Sequence, residues 1–232
     1  RGAPGRPHRG RDGDCGDHRQ RRLLLTSPPP RPLPPAGFAS RALTLVDVAR
    51  DATWRRLYQS RFPNPLGYGL SPSRFSDPET TLVPPERFGV IYFGSSIKVC
   101  FVEAILRDRG VARTHTFPIE WAEIEAWSCA EVRVEAALRV VDLRGDGLVR
   151  MGIPTDVARA SAQDLARIWS RALLAHDTKP DGLMYDSRLN GETNVVVFDR
   201  ALPKLVTVAT PRLVDCRDDL ATILTDLDLA IV

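Results

Sequence analysis

Three apolar runs crowd the last third of the chain with little between them: Gly182 to Ser187, Asn194 to Asp199 and Lys204 to Ala209. Each is short, rich in Val, Leu, Tyr or Phe, and bounded by Asn, Gly, Pro or Asp, the pattern of a strand. The gaps between them leave no room for the helical crossovers that parallel neighbours require, so these strands are expected to pair antiparallel. With the helical signals found upstream, the class expected is α+β.

Upstream, Val90-Ile91-Tyr92-Phe93-Gly94 reads as a short buried strand, and Ser95 or Ser96 is a suitable N-cap for a helix running to about Arg109 and closed by Gly110. On that helix Val99, Val102, Ile105 and Leu106 form the apolar face, and Glu103 shares the inward stripe. Trp54 to Phe62 alternates as a strand, and Val132 to Leu143 reads as one long strand ending at Gly145-Asp146-Gly147. Ser161-Ala162-Gln163-Asp164 opens a helix that runs to about His176. The apolar stretch from Leu220 to Val232, like Trp121 and Trp127, suits either core or contact between copies.

Two segments lack regular pattern. Residues 63–87 hold six Pro and two Gly, a length of irregular chain that compact domains seldom carry unless it covers a site. Residues 1–36 hold eight Pro and five Gly and are expected to be disordered, leaving 37–232 as a single domain. The Leu23-Leu24-Leu25 run is too short for the apolar core of an export signal.

Charge and composition exclude several classes. The net charge is +3, but eight Arg and three Asp put residues 1–36 at +5 and residues 37–232 at −2. The basicity belongs to the tail, so direct nucleic-acid binding by the domain is not expected. No run approaches the roughly 18 consecutive apolar residues of a membrane span. Cys15, Cys100, Cys129 and Cys216 are widely spaced, which suits reduced thiols in the cytoplasm rather than a disulfide framework or zinc knuckle. His8 and His18 are in the tail, and His115 and His176 read as surface residues; a histidine-rich metal site is not expected.

The phosphate-loop, dinucleotide-fingerprint, zincin and nucleophile-elbow motifs are absent from the sequence. What it offers instead is Arg61-Phe62, then Ser73-Arg74-Phe75-Ser76-Asp77-Pro78, then Val90 to Ser96 leading to Phe101-Val102-Glu103, and finally Gly182-Leu183-Met184-Tyr185-Asp186-Ser187-Arg188. These four blocks, in this order, resemble the RES domain, over roughly residues 54 to 210. The resemblance implies an ADP-ribosyltransferase-like fold with a mixed, largely antiparallel sheet and flanking helices. It implies a toxin of a bacterial toxin–antitoxin pair that destroys NAD⁺ by phosphorolysis or hydrolysis. Arg61 and Arg74 match the family's arginines, Glu103 its acid, Ser187 its serine, and Tyr92 the aromatic residue of the strand before the helix. Where many members have Gly-Gly-Arg-Trp-Asn, this chain has Pro72-Ser73-Arg74-Phe75-Ser76.

The chemistry of the residues suits that reading. Guanidinium groups bind diphosphate oxygens with forked hydrogen bonds. Cleaving the nicotinamide–ribose bond creates an oxocarbenium-like centre that a carboxylate such as Glu103 can stabilise. Glu103, Arg61 and Ser187 are therefore the expected catalytic residues, with Arg74, Tyr92, Tyr185 and Asn194 binding substrate. NAD⁺ is then substrate rather than cofactor, inorganic phosphate is a candidate co-substrate, and no metal is required. The implied partner is an Xre-type antitoxin carrying a helix-turn-helix. Plainer readings stand alongside. Glu103 also suits a helical ion pair with Arg107, Ser187 a turn, Asn194 the head of a strand, and the tyrosines ordinary packing. A protein-modifying ADP-ribosyltransferase and a non-catalytic nucleotide-binding module are the alternative functions.

Overall fold

The computed structural model describes Gly2, residues 32–107, Arg109 and residues 115–232. The chain divides into two units, Arg1–Arg31 and Pro32–Val232, and the second carries the elements that follow. Of the segment read as disordered, all but Gly2 and residues 32–36 lies outside the described residues, as do Cys15, His8, His18 and Gly110.

Strands β1 (Leu45–Val48), β2 (Thr53–Gln59) and β3 (Val90–Gly94) lead into helix α1 (Ile97–Phe101), which continues as a π-helical turn over Val102–Leu106. Then come β4 (Phe117–Ile119), α2 (Trp121–Glu125), β5 (Trp127–Val134) and β6 (Leu138–Asp142). Three helices follow, α3 (Gly147–Met151), α4 (Asp156–Arg159) and α5 (Asp164–Leu174). The chain ends with β7 (Gly182–Asp186), β8 (Thr193–Phe198), β9 (Leu205–Ala209), α6 (Arg217–Asp226) and β10 (Leu229–Ile231).

Among the described residues, eight strands form one sheet in the order β1-β6-β7-β8-β3-β2-β5-β9, and β10 pairs with β4 separately. The class is α+β, with a mixed, largely antiparallel sheet and flanking helices, as expected. Its one parallel contact is β6 with β7, from Val140↔Gly182 to Asp142↔Met184. Helices α3 to α5 provide the crossover that a parallel pair needs. The late strands fall within a residue or so of the expected spans, but only β7 and β8 are neighbours; β9 crosses to the far edge beside β5.

Two neighbouring strands barely meet. β2 and β3 are in register only at Arg55↔Gly94. β2 otherwise pairs along its length with β5, and β3 with β8. Beyond that one pair the sheet splits, and a wedge opens between the strands. On one side of the wedge Trp169, Leu173 and Phe75 pack on Val141, Leu183, Val196 and Phe198. On the other, Val99, Phe101, Ile124 and Ile223 pack around Leu57 and Cys129. Leu220, Ile223 and Leu229 are buried there, so this part of the apolar C-terminal stretch belongs to the core.

Several expectations need correction. The segment Val132 to Leu143 is two strands, because the chain bends at residues 135–137, where a backbone bond from Glu135 N to Lys204 O anchors the turn. The strand begun near Trp54 stops at Gln59, so Arg61 lies in the turn beyond it. His176 is buried rather than on the surface. Its Nε2 lies 2.9 Å from Arg41 O and its Nδ1 lies 3.0 Å from Thr178 Oγ1, fastening the chain before β1 to the end of α5.

Candidate active site

The wedge between β2 and β3 holds a cavity of about 440 Å³, in the range of small-molecule sites. β2 contributes Arg56 and Leu57, β3 contributes Val90 to Gly94, and Tyr68, Gly69 and residues 71–74 of the irregular segment also line it. The segment is fastened to three elements. Arg56 on β2 donates to Pro65 O, and the Tyr92 hydroxyl on β3 accepts from Phe75 N at 2.8 Å and shares a 3.0 Å bond with Ser73 Oγ. From α5, Ser170 Oγ donates to Phe75 O at 2.7 Å, and Arg171 pairs with the fully buried Asp77. Polar side chains thus satisfy the backbone of a segment with no ladder of its own.

The acid arrives from above the sheet. Ser96 caps α1, its Oγ accepting from Val99 N at 3.1 Å. A Cβ at position 94 would stand 2.4 Å from Val99 Cγ1 and 2.7 Å from Cys100 Sγ, so glycine there lets α1 lie directly on β3. The π-helical turn, closed by Arg107 N to Val102 O at 2.7 Å, then keeps Val102, Ile105 and Leu106 buried while Glu103 and Ala104 line the cavity. Such turns are rare and cluster at functional sites.

Glu103 Oε1 accepts a 2.7 Å hydrogen bond from Ser187 Oγ. Ser187 is itself 3% exposed, and its Oγ also accepts from Leu189 N at 3.1 Å. The expected helical pair is not what holds Glu103: Arg107 Nε donates to the Glu103 carbonyl oxygen at 3.2 Å instead. The serine is thus both a turn residue and a brace on the carboxylate.

Arg74 lines the cavity and its Nη1 donates to Ala160 O at 2.7 Å. Tyr185 and Asn194 line it too, facing each other across β7 and β8. Tyr185 meets Phe75 edge to face, with centroids 5.0 Å apart. Burial pushes the Tyr185 phenol well above its ordinary range and raises that of Tyr92, although hydrogen bonds with Ser73 and Phe75 pull Tyr92 back. Both stay protonated near neutral pH.

Arg61 is not in the cavity. It is exposed, its guanidinium 5.0 Å from the ring centre of Phe62, itself exposed. Arg56 does line the cavity, and burial holds its guanidinium down to about 10. Sequence reasoning missed Arg56, and the available signal was a charge in mid-strand with Trp54 and Tyr58 two residues to either side. It also missed Arg107, Arg188 and Trp127, which line the cavity, whereas Trp121 is 44% exposed and does not. Among the lining residues four arginines face one carboxylate. Among the described residues no group of His, Cys, Asp or Glu is arranged to hold a metal ion, and no helix is long and apolar enough to cross a membrane.

Comparison with known proteins adds three findings. A family model described as the RES domain matches residues 44–222. Probable toxin y4kH of Sinorhizobium fredii (strain NBRC 101917 / NGR234) is 53% identical over 127 residues, 55% of this chain and 100% of that protein. A chain in the crystal structure of the M. tuberculosis MbcT-MbcA toxin-antitoxin complex superposes with a TM-score of 0.52 at 17% identity, covering 75% of this chain and 92% of that one. That likeness is one of fold.

Proposed function

The chain belongs to the RES domain family, and on that premise we propose that it cleaves the nicotinamide–ribose bond of NAD⁺ as the toxin of a toxin–antitoxin module. The observation that carries this is Glu103, a carboxylate braced by Ser187 on the wall of a cavity whose other charged lining residues are arginines.

Arg56 and Arg74 suit the diphosphate. Arg56 is fixed by Pro65 O and Arg74 by Ala160 O, so each has remaining N–H groups and little freedom to lose on binding. The sugar then lies toward Glu103. As the bond to nicotinamide lengthens, positive charge grows on the ribose, and a carboxylate already in place stabilises it without reorganising. Nicotinamide leaves with the bonding electron pair, which neutralises its ring nitrogen, so no general acid is needed. The acceptor oxygen forms the new bond to the sugar and releases any proton it carries to solvent.

Two acceptors fit the chemistry: water gives ADP-ribose and inorganic phosphate gives ADP-ribose 1″-phosphate. Arg107 and Arg188 line the same cavity beyond the pair assigned to the diphosphate, which favours phosphate. The test is to incubate the protein with NAD⁺, with and without phosphate, and weigh the products. Phosphate-dependent ADP-ribose 1″-phosphate supports phosphorolysis, ADP-ribose in both conditions supports hydrolysis, and intact NAD⁺ in both contradicts the proposal.

The toxin role draws on the name of the S. fredii relative and on the complex to which the structural neighbour belongs. An antitoxin that covers the cavity would silence the reaction, and a helix-turn-helix on that partner would confine any DNA contact to it. Addition of such a partner should stop NAD⁺ loss.

A further inference from the structure

Asn194 is 4% exposed, lies on the wall of the cavity, and its Nδ2 has no hydrogen-bond partner among the described residues. The amide is costly to leave there, since a buried donor without an acceptor has lost its water and gained nothing. A buried donor kept unpaired in a cavity is accounted for if a ligand brings the acceptor.

Its position says which part of the ligand. In register Asn194 stands between Tyr185 on β7 and Gly94 on β3. Directly opposed residues share a face of the sheet, as do residues two apart along one strand. Ser187 lies two beyond Tyr185 and pairs back to the residues before Asn194 through its N–H bond to Glu192 O at 2.7 Å. The amide is therefore on the same face as Ser187, whose hydroxyl holds Glu103, and one step along the floor from that pair. Gly94 beside it carries no side chain, and Val99 and Cys100 of α1 pack against that position.

We propose that Asn194 donates a hydrogen bond to a hydroxyl oxygen of the ribose being cleaved, while Glu103 accepts from the same sugar, so that the two residues together read a diol. This deepens the NAD⁺ reading and rests on it. A diol supplies both the acceptor that Asn194 lacks and the donor that suits a carboxylate. The diphosphate needs only cations, which the arginines provide.

The test compares ligands that do and do not carry the second sugar. ADP-ribose has it; ADP has the adenosine and diphosphate without it. Binding of each is measured by calorimetry for the unsubstituted protein, Asn194→Leu and the nearly isosteric Asn194→Asp, alongside thermal midpoints without ligand. Both variants should bind ADP-ribose about tenfold more weakly, the size of one lost hydrogen bond, and bind ADP as before. Without ligand, Asn194→Leu should melt at or above the midpoint of the unsubstituted protein, because it removes an unpaired buried amide. Unchanged affinity of the folded variants for ADP-ribose, an equal loss for ADP, or a lowered midpoint for Asn194→Leu would overturn the assignment. If the unsubstituted protein cleaves NAD⁺ while Asn194 proves indifferent, this inference alone fails. If it neither cleaves NAD⁺ nor binds ADP-ribose, the reading of the site fails with it.

Discussion

Ser187 Oγ donates to Glu103 Oε1 across 2.7 Å, joining the turn after β7 to the π-helical turn after α1. The two residues are 84 apart in sequence, so only the closed fold brings them together. The bond orients one oxygen of the carboxylate. Ser187→Ala should keep the fold, since the serine is small, and should lower kcat about 10–100-fold with less effect on KM, because orientation of the charge matters most in the transition state. Steady-state rates of nicotinamide release check this; an unchanged kcat would mean that the serine serves only the turn.

Tyr92 holds the roof. Its hydroxyl meets Ser73 Oγ at 3.0 Å and Phe75 N at 2.8 Å, on either side of Arg74. Tyr92→Phe removes both bonds and keeps the ring. The expected result is a KM for NAD⁺ raised about fivefold or more, kcat nearly unchanged, and a stability loss of about 1–2 kcal/mol in denaturant titration. A fall in kcat alone would indicate direct contact with the reacting sugar.

The arginines separate cleanly. Arg61→Ala should leave NAD⁺ turnover within twofold, since Arg61 is exposed in the turn after β2. Arg56→Ala should lower kcat/KM by about 10–100-fold, the worth of a charge-assisted bond. Burial disfavours the charged form of Arg56 and brings it down to about 10, so kcat/KM should fall as pH rises through about 10, where the free protein loses that charge. A bound diphosphate favours the charged form, so the limb in kcat should lie higher. A kcat/KM profile flat to pH 11 would contradict the assignment.

Asp77 sets the stability of the loop. It is fully buried, and its carboxylate accepts from Arg171, from Glu79 N at 2.9 Å and from Phe88 N at 3.2 Å. Asp77→Ala leaves those backbone donors unpaired and should cost about 2–3 kcal/mol, discounted because Arg171 is partly exposed. Proteolysis should then cut residues 63–87 faster than in the unsubstituted protein.

Much of the fold was legible because it rests on local signals. β7, β8 and β9 are short apolar runs between turn residues, and Ser96 caps α1 as a hydroxyl before an apolar stripe should. What was not legible depends on distant partners. Glu135-Ala136-Ala137 contains no Gly or Pro, so nothing local marks the break between β5 and β6; a backbone contact with Lys204 O makes it. The π-helical turn leaves no trace in the spacing of Val99, Val102, Ile105 and Leu106. Of the site residues chosen from sequence, Glu103, Arg74, Tyr92, Tyr185 and Asn194 line one cavity, and Ser187 stands behind Glu103. Arg61 enters the candidates as a match to one of the family's arginines, and nothing in the run Trp54 to Phe62 marks Arg56 as the residue that faces the cavity until the pairing with β5 shows where the ladder stops.

Glu103 is proposed here as the carboxylate that drives cleavage of NAD⁺. Its most direct test is nicotinamide release from NAD⁺ by the purified protein and by Glu103→Gln, with thermal midpoints measured on both. The expected result is release by the unsubstituted protein and a loss of about a hundredfold or more in a folded Glu103→Gln variant that still binds ADP-ribose. Equal rates in the two proteins, or no release by either, would contradict it.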